Sequence, residues 1–151
     1  MLLHAVFIVI TMVSYIQSYP SYLDEIPNGY NVKYKPCADD DPVSWLAVGH
    51  VQKQASDTDR NKFGERFAYY NNTWTLELCN EDSDLDGVTN GVELGFTCTQ
   101  SNIDTWADNP TSLTLGTPTG HPGICEPNTG TCVEQNANLT LPVCSTAAGK
   151  K

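Results

Sequence analysis

Basic residues are scarce in this chain. It has 8 lysine and arginine residues against 18 aspartate and glutamate residues, which gives a formal net charge of −10. No run of lysine and arginine is longer than two residues. Because nucleic acids and anionic membranes bind proteins through basic patches, both are poor partners for this chain. Its acidity instead favours solubility and the binding of divalent cations.

The sequence also lacks the short motifs of several enzyme classes. It contains no G-x-S-x-G nucleophile elbow, no H-E-x-x-H metalloprotease motif and no phosphate-binding loop. No C-x-x-C pair is present, which argues against a zinc ribbon and against a thioredoxin-like redox site. No catalytic set is visible, and we predict that the protein is not an enzyme.

Long apolar runs are absent beyond the N-terminus. Residues 1–18 have a weakly charged start, an apolar core over residues 5–13 and a small residue, Ser18, at their end. This pattern is typical of a secretory signal peptide, and its apolar core is shorter than the ~20 residues that span a bilayer. We therefore predict a secreted, extracellular protein without membrane insertion. A buried N-terminal helix is the alternative.

Two kinds of residue are expected to be modified on the secretory route. An even number of cysteines in a secreted chain predicts disulfide bonds, although the sequence leaves their pairing open. Two N-x-S/T sequons permit glycosylation, at Asn71 and Asn138. The six cysteines are Cys37, Cys79, Cys98, Cys125, Cys132 and Cys144.

Residues 82–93 (DSDLDGVTNGVE) carry the most specific pattern in the chain. Aspartate stands at positions one, three and five, glycine at six, asparagine at nine and glutamate at twelve. This is the ligand order of an EF-hand-type calcium loop, in which glycine permits the sharp turn and glutamate closes the shell with two oxygens. We predict calcium as the cofactor, with a solvated acidic loop as the alternative. The expected ligands are Asp82, Asp84, Asp86, the Val88 carbonyl, Asn90 and Glu93.

The rest of the pattern predicts a small α+β fold. We expect mostly short antiparallel strands and loops with one or two short helices, stapled by the disulfides and the calcium loop. Phe63, Phe67 and Tyr70 recur at helical spacing, and Asn61 precedes them as a cap. The alternation in residues 74–78 predicts a strand that enters the calcium loop.

Elsewhere the pattern is weaker. The apolar residues 45–51 predict a short buried strand or helix, and short strands and turns are expected from Thr97 onward. A loop entered by a strand lacks the paired helices of an EF-hand. Calcium is therefore expected to be structural and not a switch.

Two histidines, His50 and His121, suggest a competing function. Brought together, they could bind copper or zinc through their imidazole nitrogens and support redox or hydrolytic chemistry. The simpler interpretation is that His121 forms a turn with Pro122 and Gly123, while His50 ends a buried segment. A third possibility is a plain extracellular-matrix calcium module.

The ordered set of these stretches resembles the temptin-like family of secreted proteins, which includes a water-borne pheromone component of gastropod molluscs. The resemblance implies a calcium-binding domain over residues 19–124, followed by a cysteine-containing extension over residues 125–151. It also implies a signal that acts with attractin-like secreted proteins and a receptor. The matching pieces are residues 19–22 and 26–30, Trp45 with residues 48–50, residues 60–61 with Phe63, Gly64 and Phe67, residues 74–75 with 78–79, residues 82–95 and residues 121–123.

Overall fold

The computed structural model describes residues 22–52, 59–142 and 144. These contain five short α-helices, one 3-10 helix and one two-stranded antiparallel sheet, in which Tyr34 pairs with Val43. The predicted signal peptide, residues 1–18, lies outside the described residues. In chain order the elements are β1 (Lys33–Tyr34), β2 (Val43–Ser44), α1 (Lys62–Tyr69), α2 (Leu76–Asn80), α3 (Asn90–Glu93), α4 (Gln100–Asp108), the 3-10 helix (Pro110–Ser112) and α5 (Thr131–Gln135).

Helix α1 confirms the helix predicted between residues 61 and 70. The Asn61 side chain caps it by accepting a hydrogen bond of 2.9 Å from the backbone N–H of Gly64, and Phe63 and Phe67 are buried. Gly64 is required for packing, because a Cβ at this position would lie 1.9 Å from the carbonyl oxygen of Gly49. The helix therefore approaches the preceding segment at a glycine–glycine contact.

The strand predicted for residues 74–78 is wrong. Thr75 accepts a hydrogen bond from the backbone N–H of Leu78 and so caps helix α2, which buries Leu78 and Cys79. A segment of five residues is too short for periodicity to separate a strand from a helix. The capping threonine was the local signal that favoured the helix.

The described residues after Thr97 form no strand, so the prediction of short strands there is also wrong. Thr99 caps helix α4 through the backbone N–H of Asn102, and α5 begins directly after Gly130. Helix α4 buries only Ile103, so its sequence has almost no helical apolar stripe to detect. The α+β class is confirmed, but the described residues contain more than the one or two expected helices, and each strand has only two residues.

Residues 45–51 form neither the strand nor the helix predicted for them. Trp45, Ala47 and Val48 are buried in an irregular segment after β2. The Asn61 side chain donates hydrogen bonds to the carbonyl oxygens of Val48 and His50. Because a side chain satisfies these backbone groups, the segment can be buried without regular structure.

The core consists of two clusters of buried residues. The smaller one contains Tyr34, Trp45 and Ile124. No helix in the described ranges has both the length and the apolar character that a membrane crossing requires. The disulfides join Cys37 to Cys144, Cys79 to Cys98 and Cys125 to Cys132. The larger cluster contains Ile26, Val32, Val48, Phe63, Phe67, Trp74, Leu78, Cys79, Leu94, Phe96 and Ile103.

Candidate metal centre

The loop of residues 82–93 leaves helix α2 and ends in helix α3, and both of its ends are fixed. The backbone N–H of Asn90 donates a 2.7 Å hydrogen bond to the carbonyl oxygen of Glu81. The Cys79–Cys98 disulfide joins the end of α2 to the segment that follows α3. A short helix, α2, therefore precedes the loop where the sequence predicted a strand, and a second short helix, α3, forms the end of the loop.

Three aspartates converge inside the loop. One carboxylate oxygen from each of Asp82, Asp84 and Asp86 lies within 4.8 Å of the other two. The Asp82 carboxylate accepts hydrogen bonds from the backbone N–H groups of Leu85 and Gly87, at 2.7 and 2.9 Å. These bonds curl the backbone around the carboxylates. The three aspartates predicted to act together therefore lie together.

The sharp turn of the loop depends on left-handed backbone. Gly87 has a φ of 97°, a conformation that glycine adopts readily because it has no Cβ. Leu85 has a φ of 64°, which is uncommon for a side chain of this size. The sequence pattern placed Gly87 at the sharp turn, and its backbone has the conformation that such a turn needs.

Glu93, the twelfth loop residue, is buried and has no partner for its charge. Its side chain is 1% exposed, and neither carboxylate oxygen has a hydrogen-bond partner. Burial raises the pKa of Glu93 to about 11, and the neighbouring charges of Asp84, Asp86 and Glu126 add to this effect. A buried carboxylate without a partner is costly, so this position fits a bound cation.

Asp84 has a similar environment. Its side chain is buried, and its Oδ2 atom has no hydrogen-bond partner. Burial raises the pKa of Asp84 to about 8, and the charge of Asp86 raises it further. Burial also raises the pKa of Asp86 itself. The loop thus gathers carboxylates in an environment that favours their charged form only beside a cation.

The Asn90 side chain forms hydrogen bonds that stabilise the loop from inside. Its Nδ2 atom donates to the Leu78 carbonyl at 2.7 Å and to the Ser83 hydroxyl at 2.9 Å, and its Oδ1 atom accepts from the Ser83 backbone N–H at 3.2 Å. Both N–H donors and one oxygen lone pair are therefore used within the chain. Calcium ligation by Asn90 stays a prediction, while these contacts give the residue a structural role. For Val88, the backbone N–H donates to Asp86 at 2.8 Å.

Glu126 lies beside the loop, a position that no local pattern in the sequence predicts. Together with Asp86, Val88, Glu93 and Gly120, it lines a cavity of about 310 Å³. Burial raises the pKa of Glu126 to about 7, although a hydrogen bond from the Lys35 backbone lowers it in part. Glu126 is remote in sequence from the loop, so no spacing rule could connect the two.

The two histidines occupy different environments. His121 is fully buried, its Nδ1 atom accepts a 3.1 Å hydrogen bond from the backbone N–H of Gly123, and burial lowers its pKa to about 3. This is the turn with residues 122–123 that the sequence suggested. His50 is half-buried and forms an isolated bridge with Arg60. Within the described ranges, neither histidine belongs to a group of three or more converging metal-ligand side chains. Their joint metal site stays a prediction.

Both sequon asparagines lie at the surface. Asn71 follows helix α1 with a φ of 56°, and Asn138 follows helix α5; both are exposed. An oligosaccharide can reach an exposed asparagine without disturbing the core. Glycosylation at these two positions stays a prediction.

Comparison with known proteins agrees with the resemblance seen in the sequence. The profile described as Temptin C-terminal matches residues 16–124. Temptin of Aplysia californica is 45% identical over 80 residues, which are 52% of this chain and 59% of temptin. The chain thus spans less than two thirds of the length of that relative, and no solved structure matches it. Because the family profile covers most of the chain, the protein belongs to the temptin C-terminal family.

Proposed function

We propose that this protein is a secreted, calcium-binding signal that acts as a component of a water-borne attractant pheromone. Membership of the temptin C-terminal family supports the signalling role. Three disulfides are in keeping with an oxidising, extracellular compartment. The expected partners are attractin-like secreted proteins and an unidentified receptor.

One observation carries the calcium part of the proposal. Glu93 is buried beside Asp84 and Asp86, and neither of its oxygens has a partner. Ca²⁺ takes roughly six to eight oxygen ligands, and a loop with this order of carboxylates supplies most of them. A bound ion would neutralise charges that otherwise repel one another.

The role proposed for calcium is structural. The Cys79–Cys98 disulfide and the hydrogen bond from Asn90 to Glu81 hold both ends of the loop. EF-hand sensors respond to calcium by changing the angle between long flanking helices. Here the flanking helices have five and four residues, so a large change of angle would expose little new surface.

The first experiment measures the metal content of the protein. The chain is secreted from eukaryotic cells, purified without chelator and analysed for calcium, copper and zinc. About one calcium per chain without copper or zinc supports the proposal. Stoichiometric copper or zinc would favour the two histidines and a metalloenzyme instead.

A matched pair of variants then assigns the calcium to the loop. Glu93→Gln removes the charge of the buried carboxylate, whereas Glu77→Gln makes the same change at an exposed position in α2. We expect Glu93→Gln to abolish calcium binding in calorimetric titration, and Glu77→Gln to leave it unchanged. Equal calcium affinity in both variants would contradict the assignment of the calcium site to the loop.

The signalling part needs its own assay. Immunodepletion of the protein from the secretion that contains it should reduce the attraction of conspecifics in a choice test. Adding back the purified protein should restore attraction only in the presence of the other secreted proteins. Unchanged attraction after depletion would contradict the pheromone role and leave the calcium measurements unaffected.

A further inference from the structure

The calcium loop contacts a segment that lies beyond the family match. The match ends at residue 124, and Glu126 follows two residues later, next to the disulfide-bonded Cys125. Glu126 and Asp86 line the same cavity, and the backbone of Glu126 acts on the Asp86 carboxylate in the direction that lowers its pKa, so Glu126 lies against the fifth position of the loop. The C-terminal segment is therefore part of the wall of the candidate site.

The carboxylate of Glu126 converges with that of Glu93 at one glycine. A Cβ placed on Gly120 would lie 2.8 Å from Glu93 Oε1 and 3.4 Å from Glu126 Oε2. Both side chains line the same cavity of about 310 Å³, and the absence of a side chain on Gly120 leaves them room. Two carboxylates from remote parts of the chain thus border one space.

Lys35 lines this cavity and its charge lowers the pKa of Glu126, but the charged groups that act on Glu93 are all carboxylates, so Glu93 lacks a positive partner. Glu93 has no hydrogen-bond partner for either oxygen and is 1% exposed. The charge of Glu126 acts on Glu93 in the direction that disfavours ionisation. Like charges are brought together in a buried site only when a cation or a proton separates them.

The fixed contacts of Glu126 leave it free to bind a cation. Its Oε1 atom accepts a hydrogen bond from the backbone N–H of Lys35, the residue that follows strand β1. An ionised carboxylate offers about four lone-pair sites, so this contact orients the group while other lone pairs remain available to a cation. Glutamate held in this way is a preoriented oxygen ligand.

We propose that Glu126 is a calcium ligand supplied from outside the twelve-residue loop. The inference rests on the proposed calcium binding by that loop. In the bound state the ion joins the loop to the segment closed by the Cys125–Cys132 disulfide. Calcium then links the family domain to its C-terminal extension, because both parts supply oxygen ligands to the same ion.

Affinity measurements on the full secreted chain test the proposal. Glu126→Gln keeps an oxygen for the Lys35 N–H but removes the charge, and Glu134→Gln makes the same change at an exposed position of α5. Because calcium affinity follows the number of charged ligands, we expect Glu126→Gln to raise the calcium Kd about tenfold or more. Glu134→Gln should leave it unchanged. Equal Kd values for these two variants would overturn the proposal.

A second measurement separates direct ligation from a remote effect of charge. Tb³⁺ replaces Ca²⁺, and its luminescence lifetimes in H₂O and D₂O give the number of water molecules bound to the ion. Glu126→Asp keeps the charge but withdraws the oxygens, so we expect a weaker Kd and about one additional bound water. A Kd and a water number equal to those of the wild-type chain would show that Glu126 does not touch the ion.

The outcomes also distinguish this inference from the function on which it rests. If Glu93→Gln abolishes binding while both Glu126 variants match Glu134→Gln, the loop binds calcium without Glu126. If the wild-type chain binds no calcium, the proposed function and this inference both fail. Near-ultraviolet circular dichroism with calcium present checks that each variant has kept its fold.

Discussion

Gly91 lies directly against the Cys79–Cys98 disulfide. A Cβ on this glycine would lie 2.2 Å from Cys98 Sγ and 2.5 Å from Cys79 Sγ. Gly91 belongs to helix α3 and is the tenth residue of the loop of residues 82–93. The disulfide therefore fixes the position of the last turn of the loop, and the glycine allows the close contact.

Gly91→Ala should destabilise the protein for this reason. The added methyl group meets two sulfur atoms that are bonded to each other and cannot move apart independently. We expect a loss of about 1–3 kcal/mol in the free energy of unfolding, measured by urea denaturation without reductant. Val92→Ala, at an exposed position of the same helix, is the control and should change stability by less than about 0.5 kcal/mol. Equal stabilities would contradict the close contact.

Asn90→Asp separates the two roles considered for Asn90. If this residue is mainly a ligand, a carboxylate should raise calcium affinity. The hydrogen bonds from its Nδ2 atom to Leu78 and Ser83 predict the opposite, because aspartate places an acceptor against the Leu78 carbonyl. We expect a loss of about 1–3 kcal/mol in unfolding free energy. Asn80→Asp, at an exposed position of α2, should have a much smaller effect. An Asn90→Asp variant that is more stable and binds calcium more tightly would contradict the structural role of these hydrogen bonds.

For the carboxylate cluster we predict two opposite effects of rising pH. The stability of the calcium-free protein should fall, and the stabilisation added by calcium should increase. The pKa values of Asp84 and Glu126 are raised from 3.8 and 4.5 to about 8 and about 7, so the calcium-free folded state binds more protons than the unfolded state between those values. Their stabilising contribution is therefore complete below about pH 4 and is lost as pH rises through 7 to 8. Calcium binding requires the deprotonated forms, so its contribution grows over the same range.

Melting temperatures measure this effect. In chelator, the melting temperature should fall by several degrees between about pH 5 and about pH 8. The difference between calcium and chelator should increase over the same interval. In Glu93→Gln the pH dependence of that difference should disappear, since we expect this variant not to bind calcium. A calcium effect that is independent of pH in the wild-type chain would contradict the prediction.

Local patterns in the sequence were sufficient to predict part of the site. The order of residues 82–93 predicted that Asp82, Asp84 and Asp86 converge, because all of them lie in one short loop. The Asn61 cap was predictable for the same reason, since its partner is only three residues away. Such features depend on neighbours in sequence, which a single chain displays directly.

Features that depend on remote contacts were not predictable. The turn at residues 121–123 was suggested by the sequence, but no local pattern indicates that it brings Glu126 to the loop. The disulfide pairing was open for the same reason. Short helices such as α2 and α4 bury too few apolar residues to produce a periodic pattern, so their type is decided by capping and by tertiary contacts.

In Gly64→Ala, helix propensity and packing in α1 have opposite effects on the free energy of unfolding. Alanine is favoured over glycine in a helix by about 1 kcal/mol, so propensity alone predicts a more stable protein. The new Cβ would lie 1.9 Å from the carbonyl oxygen of Gly49 and 2.7 Å from its carbonyl carbon, and these backbone atoms cannot rotate away as a side chain would. We expect packing to dominate and the free energy of unfolding, measured with calcium in the buffer, to fall by about 1–3 kcal/mol. Glu65→Ala, at the next and exposed position, keeps the Gly49 contact and should change stability little. A Gly64→Ala variant more stable than Glu65→Ala would show that α1 can move away from Gly49, and that the glycine pair does not fix the helix.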